Sequence, residues 1–218
     1  MNKRWNRIPL GAEFVVLFFG VPLFMFLDTG FTLPSAVLLP SLVVIFLILH
    51  FRTDFKWREL LVLKIPRKQV IRDGFILMAC AILLILSVLL WIPDKLFNLP
   101  RANLWIWLAL CTFYPVFSAY PQEILFRIFI FRRYKKLFLR NWLLVAASGI
   151  SFSFAHILYY HPVSMILTLI AGIYLARVYS RTGSVLYTAI LHGILGMFVY
   201  TLGLGEYFWL EMYEYFPG

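Results

Sequence analysis

The stretch GFILMACAILLILSVLLWIP, residues 74–93, decides the fold, because it is long, apolar and free of charged side chains. A helix needs about 20 apolar residues to cross the hydrocarbon core of a bilayer. Similar stretches recur along the chain, at residues 10–27, 34–51, 103–131, 142–159, 163–180 and 184–203. They are continuous rather than alternating, which is typical of helices and not of membrane strands. The sequence therefore predicts an all-α polytopic transmembrane bundle of about seven spans.

The composition agrees with a bilayer as the solvent. Hydrophobic residues make up 62% of the chain and charged residues 14%, and the mean hydropathy is +0.86. Soluble domains are about 45–50% apolar. The net charge of +10 is typical of nucleic-acid binding, but the basic residues lie in short loops between apolar stretches. We therefore expect membrane lipids as partners and no nucleic acid.

The distribution of basic residues predicts the orientation, since Lys and Arg concentrate in cytoplasmic loops. Three of them precede the first span, seven lie between spans two and three, five follow span four and two precede span seven: Lys3, Arg4, Arg7, Arg52, Lys56, Arg58, Lys64, Arg67, Lys68, Arg72, Arg132, Arg133, Lys135, Lys136, Arg140, Arg177 and Arg181. The opposite loops hold Lys95 and Arg101. The amino terminus is thus predicted to be cytoplasmic and to lead into an uncleaved first helix, most consistent with a prokaryotic cytoplasmic membrane.

Ionisable residues inside the apolar stretches are the candidates for function, because burying one in a bilayer costs about 2.5–3.5 kcal/mol. Glu123 and Arg127 are four residues apart and share one helix face. His156 follows Phe152 by four residues on the next stretch, and His192 lies on the last. Taken singly, each of these motifs also fits a structural ion pair or a hydrogen-bonded histidine.

Together, the carboxylate and the two histidines lie on three separate helices that can converge on one buried site. Such a site would suit a water molecule, with Glu123 as general base and His156 and His192 as its hydrogen-bond or oxyanion partners. The same three residues would also suit a divalent metal such as zinc, so no cofactor is fixed by the sequence. His50 and His161 lie near helix ends and are interpreted as non-catalytic.

The three motifs, in this order, resemble the CAAX protease and bacteriocin-processing family of intramembrane endopeptidases, also called the Abi family. This family includes the CAAX prenyl protease 2 and lysostaphin-resistance-protein-like members. Its pattern is Glu-Glu-x-x-x-Arg, then Phe-x-x-x-His, then His-x-x-x-Asn or Asp. Glu123 and Arg127 match the first motif, Phe152 and His156 the second, and His192 the third.

Two positions depart from that pattern. Gln122 stands where the family has its first Glu, which is credited with activating the attacking water, and Gly196 stands where it has Asn or Asp. A glutamine amide does not accept a proton. The resemblance thus leaves two alternatives, an active protease in which Glu123 takes over as base, or a catalytically inactive relative. Arg127 would orient Glu123, and Gln122 would contribute a hydrogen bond.

The resemblance divides the chain into three parts. Residues 1–102 hold the first helices, with a basic amphipathic connector at 52–73, residues 103–203 form the protease-like core, and residues 204–218 form an interfacial tail. The predicted function is endopeptidase action on membrane-associated or lipidated peptides or proteins. A membrane scaffold or chaperone on the same fold is the first alternative, and a small ion-coupled transporter is the second.

The predicted orientation is testable with single cysteines in a chain that carries Cys80→Ala and Cys111→Ala. Lys64→Cys should react with a membrane-impermeant maleimide only from the cytoplasmic face, and Lys95→Cys only from the opposite face. The readout is labelling in intact spheroplasts against inverted vesicles. Labelling of both positions from one face would contradict the seven-span topology.

Overall fold

A computed structural model of the chain describes residues 8–27 and 34–208, and within these ranges the backbone is mainly helical and holds no strand. The principal helices of the described ranges are, in chain order, α1 (Pro9–Leu27), α2 (Pro34–Arg52), α3 (Arg67–Trp91), α4 (Leu104–Arg133), α5 (Asn141–Ala155), α6 (Pro162–Thr182) and α7 (Val185–Thr201). Shorter helical turns cover Trp57–Leu61, Pro93–Lys95, Asn98–Ala102, His156–Tyr159 and Gly205–Phe208. The basic residues ahead of α1 and the predicted tail beyond residue 208 lie outside the described ranges.

The helices have the length and composition of membrane spans, and the chain is an integral membrane protein. Five helical segments are long and apolar enough to cross a bilayer: Pro9–Leu27, Arg67–Trp91, Leu104–Arg133, Asn141–Tyr159 and Pro162–Thr182. The apolar helices Pro40–Phe51 and Val185–Thr201 are shorter. The predicted all-α transmembrane bundle is therefore confirmed, while the number of seven spans and the orientation stay predictions.

Helix α3 shows most clearly that lipid surrounds the bundle. The most apolar part of α3 has a mean hydropathy of 2.7, and only 6% of its residues are buried by the rest of the protein. Large side chains such as Phe75, Leu83 and Leu90 point outward. In water such a surface would drive aggregation, so its natural environment is the hydrocarbon core of a membrane.

Helix α3 begins earlier than the sequence predicts, inside the region interpreted as the connector at 52–73. It starts at Arg67, after Pro66 in extended conformation, rather than near residue 74. The polar first turns were not recognised because hydropathy marks the apolar part of a helix and not its polar ends. They also carry Asp73, which is fully buried and accepts hydrogen bonds from Gln69 (2.6 Å) and from the hydroxyl of Tyr187 on α7 (3.0 Å).

Helix α4 is continuous through two prolines, Pro115 and Pro121. Two of its segments, Pro115–Ala119 and Ile124–Phe129, are wound as π-helix. In the first, the amide of Tyr120 donates to the carbonyl of Pro115, five residues back. Wider turns of this kind accommodate proline within a helix and are frequent at functional sites. The four residues between the two segments include Gln122 and Glu123.

Helices α5 and α6 meet backbone to backbone through two glycines. A Cβ built on Gly149 would lie 2.8 Å from the backbone nitrogen of Ile173, and one built on Gly172 would lie 2.9 Å from the carbonyl oxygen of Gly149. Small residues allow such close approach between membrane helices. This contact fixes α5, which carries the Phe152–His156 motif, against α6.

The residues between α2 and α3 pack onto the core helices. The hydroxyl of Tyr120 on α4 donates to the carbonyl of Leu60 (2.8 Å), and that of Ser184, just ahead of α7, donates to the carbonyl of Val62. Arg132 at the end of α4 forms an ion pair with Glu59. The connector thus holds the ends of α4 and α7 together at one edge of the bundle.

The glycine contact predicts that Gly149→Ala lowers the stability of the protein. The added methyl would overlap the backbone of α6, and overpacking of this kind costs about 1–3 kcal/mol. Gly74→Ala is the matched control, because nothing lies within 4 Å of a Cβ at that exposed helical position. Unfolding by SDS titration in mixed micelles measures both, and equal stability of the two variants would contradict the close helix contact.

Candidate functional site

A carboxylate and a guanidinium lie buried together on α4. Neither Glu123 nor Arg127 has any exposed side-chain surface. Nε of Arg127 donates to Oε2 of Glu123 at 2.9 Å, and Nη2 lies 3.3 Å from Oε1. Both oxygens of the carboxylate therefore accept from the same guanidinium, which neutralises a charge that is costly to bury alone.

The remaining contacts of Arg127 join α4 to α5. Its Nη1 donates to the hydroxyl of Ser148 at 2.6 Å, and that hydroxyl donates to the carbonyl of Phe126 at 2.7 Å. The guanidinium carbon lies 5.1 Å from the centre of the Phe152 ring, within the range of a cation–π contact. The charge of Arg127 is thus surrounded by partners on two helices.

His192 on α7 completes the buried cluster. Its Nδ1 lies 3.0 Å from Oε1 of Glu123, and its side chain is 7% exposed. Because a carboxylate oxygen only accepts, Nδ1 carries the proton. The other ring nitrogen, Nε2, lies 3.2 Å from the hydroxyl of Tyr114 on α4. Glu123, Arg127 and His192 therefore form one hydrogen-bonded group across α4 and α7.

His156 lies beside this group and is not bonded to it. It begins the turn His156–Tyr159 that follows α5, and its Nδ1 lies 2.7 Å from the carbonyl of Phe152. A carbonyl also only accepts, so Nδ1 holds the proton and Nε2 keeps a free lone pair. Among the described residues no side chain or backbone group bonds to Nε2. The Phe152 ring adjoins both histidines, with centroids 4.6 Å from His156 and 5.2 Å from His192.

A cavity of about 380 Å³ opens beside His156. Its wall is mainly apolar and comes from α1, α2, α4 and the end of α5, with Phe18, Met25, Ile45 and Phe126 among its residues. Gln122 also lines it, and the amide nitrogen of Gln122 donates to the hydroxyl of Ser118 at 2.9 Å. Of the residues predicted for the site, Gln122 and His156 thus face the cavity, whereas Glu123, Arg127 and His192 do not line it.

The arrangement does not fit the metal site that the sequence left open. Within the described ranges, no group of three or more His, Cys, Asp or Glu side chains is gathered as metal ligands. Glu123 is neutralised by Arg127, and within the described ranges no hydrogen bond joins His156 to Glu123 or His192. The zinc set of Glu123, His156 and His192 is therefore not assembled in the described ranges.

Two polar contacts of the cluster were not identified from the sequence. Ser148 lies eight residues before His156, on the face of α5 that carries Phe152, and a search for small polar residues at this spacing would have found it. Tyr114 has no such signal, because its distance from His192 depends on how α4 packs against α7. Serine and tyrosine are also common within apolar helices, so neither residue stands out there as Glu, Arg or His does.

The fold and the buried cluster define a helical integral membrane protein with an ionisable site between its helices. Residues 100–198 match the family model described as type II CAAX prenyl endopeptidase Rce1-like. This segment is similar to that family, and the resemblance recognised from the motifs is confirmed. Since it is a family of CAAX intramembrane proteases, the match implies protease activity in general. No curated protein and no solved structure matched the chain significantly.

The buried ion pair predicts a large difference between two cation substitutions. Arg127→Met leaves Glu123 without its counter-charge inside the bundle, and breaking a buried pair in this way costs about 3–5 kcal/mol. Lys95→Met is the control, because Lys95 pairs with Glu206 at 2.5 Å on the surface, where water screens the interaction. SDS titration should show a strongly destabilised Arg127→Met and an almost unchanged Lys95→Met. Equal unfolding midpoints would contradict the role of the pair.

Proposed function

We propose that this protein is an intramembrane endopeptidase whose reaction takes place in the cavity lined by Gln122 and His156. The observation that carries the proposal is the position of His156, which lines a 380 Å³ cavity and whose Nε2 has no hydrogen-bond partner among the described residues. The family match supports a protease in general.

His156 is the group placed to take a proton from water. Its Nδ1–H is held by the Phe152 carbonyl, which fixes the tautomer with the basic nitrogen free. In the proposed step, the oxygen of a water molecule attacks the carbonyl carbon of a peptide bond and the water proton passes to Nε2 of His156. The same proton then goes to the leaving nitrogen as the C–N bond breaks, which yields a carboxylic acid and an amine, and the acid proton passes to the amine to give a carboxylate and an ammonium group.

Gln122 orients the water rather than activating it. Its amide nitrogen is bonded to Ser118, which leaves the amide oxygen to accept a hydrogen bond from a water in the cavity. Since an amide does not take up the proton, the base must be a different residue.

In this proposal Glu123 is a buried, permanently ionised carboxylate near the reacting groups and takes no part in the proton transfer. Arg127 and His192 occupy both oxygens of its carboxylate, so direct attack on a water proton would first require one of these bonds to open. The prediction that Glu123 itself is the base stays a prediction, and the experiment below separates the two assignments. His192, held by Glu123, packs from the side of α7 against the Phe152 ring, which in turn adjoins His156.

The substrate class follows from the wall of the cavity. Its residues on α1 and α2 are apolar apart from Ser41, and both Pro9–Leu27 of α1 and Pro40–Phe51 of α2 are apolar helices. A peptide tethered to the membrane by a lipid or an apolar segment would enter from that side, with membrane lipids as the surrounding partners. The basic loops favour the cytoplasmic membrane of a prokaryote and a substrate presented from the cytoplasm.

A catalytically inactive scaffold is the second candidate, and one observation favours it. In the part of the chain that the structure describes, no carboxylate lines the cavity. The carboxylate that comes nearest in sequence, Glu123, is fully engaged by Arg127 and His192. A fold of this kind would bind a membrane-tethered peptide without cleaving it.

The test is cleavage of a library of membrane-tethered peptides by the purified protein in nanodiscs. The native chain should cleave, and His156→Gln should lower the rate by about 10²–10⁴, the usual contribution of a general base. His50→Gln, at an exposed position on α2, is the matched control and should leave the rate unchanged.

The other outcomes decide between the alternatives. Full activity of a folded His156→Gln protein, with loss of activity in Glu123→Gln, would contradict His156 as base and assign that role to Glu123. A native chain that binds peptides without cleaving them, beside a Gln122→Glu variant that cleaves, would establish the inactive scaffold.

A further inference from the structure

The side chain of Tyr114 occupies the space above Gly196 on α7. A Cβ built on Gly196 would overlap the ring of Tyr114 and lie 2.5 Å from its hydroxyl oxygen. One turn earlier, a Cβ on Gly193 would lie 3.1 Å from Cβ of Pro115. The two glycines therefore form a recess in α7 that receives Tyr114 and Pro115 of α4.

The recess brings the Tyr114 hydroxyl to His192, one turn before Gly196. The hydroxyl lies 3.2 Å from Nε2, while Nδ1–H of the same ring donates to Glu123 at 3.0 Å. With Nδ1 protonated, Nε2 is the acceptor and the phenol is the donor. Both nitrogens of His192 are thus bonded, one to each of two groups on α4, which leaves the ring a single orientation and a single tautomer.

The ring of Tyr114 is itself held in place. It packs edge to face against Tyr200 on α7, with centroids 5.5 Å apart and planes at 76°, and edge to face against His192. Any side chain larger than glycine at position 196 would displace the ring and remove the hydroxyl from Nε2. The identity of residue 196 is therefore linked to the orientation of His192.

We infer that Tyr114 is a positioning residue, whose hydroxyl, admitted by Gly196, locks His192 in the orientation that the proteolytic site requires. The inference rests on the proposed function for its effect on the rate, and on geometry alone for the contact between Tyr114, Gly196 and His192. The experiment therefore has one arm that needs activity and two that do not.

The first arm uses Tyr114→Phe, which keeps the ring and removes the hydroxyl. With ¹⁵N-labelled histidine, the Nε2 resonance of His192, assigned with a His192→Gln variant, should shift and the Nδ1 resonance should stay in place. An unchanged Nε2 resonance would overturn the assigned hydrogen bond.

The second arm exchanges volume between the two positions. Gly196→Ala in the native background should unfold at a markedly lower SDS fraction, because its methyl meets the Tyr114 ring. The same change in a Tyr114→Ala background should cause little further loss, because the ring is gone. Gly196→Ala that is equally tolerated in both backgrounds would overturn the inference.

The third arm is the cleavage rate, measured on proteins with native unfolding midpoints. Tyr114→Phe should lower the rate of peptide cleavage by about tenfold, the usual effect of losing a group that orients a functional side chain. Tyr200→Phe, which also loses only a hydroxyl, is the control and should leave the cleavage rate unchanged. A native rate in Tyr114→Phe would overturn the positioning role. If the native chain cleaves no peptide, the proposed function fails, while the first two arms still decide the contact.

Discussion

The ion pair between Glu123 and Arg127 is the interaction on which the rest of the structure depends. Two charges lie inside a lipid-embedded bundle, and each is accommodated only because other helices supply partners: Ser148 and Phe152 from α5, and His192 from α7. An unpaired charge in this position would cost several kcal/mol. The pair therefore specifies which faces of α4, α5 and α7 meet, and it keeps the helices beside the cavity in one register.

The buried charged residues and the residues that line the cavity are two separate groups. Glu123 and His192 use their polar atoms on each other, on Arg127 and on Tyr114, whereas His156 and Gln122 turn toward the cavity. The Phe152 ring lies against both histidines. In the proposed function the base is therefore a residue of the cavity wall, and the buried carboxylate of Glu123 stabilises the packing of the helices.

Hydropathy alone predicted the helices, because a bilayer requires apolar segments of a fixed length. The predicted ranges 142–159 and 163–180 agree closely with α5 and α6. It missed the polar start of α3, where Pro66 and not hydropathy marks the boundary.

The motif residues were recognised because buried ionisable groups are rare in membranes. Their grouping was not predictable, because whether Glu123 meets Arg127, a water or a metal depends on helix rotation. Tyr114 was missed for the same reason, since only the packing of α4 on α7 brings it to His192.

The most direct test of this account is the reactivity of the two histidines toward diethyl pyrocarbonate, which modifies an unprotonated and accessible imidazole nitrogen. The intact protein in nanodiscs would be treated for increasing times, and each histidine followed by mass spectrometry. The account predicts that His156, which lines the cavity and has an unbonded Nε2, is modified well before His192, whose Nε2 is bonded to Tyr114. Equal rates, or faster modification of His192, would contradict the division between a buried charged cluster and a reactive cavity.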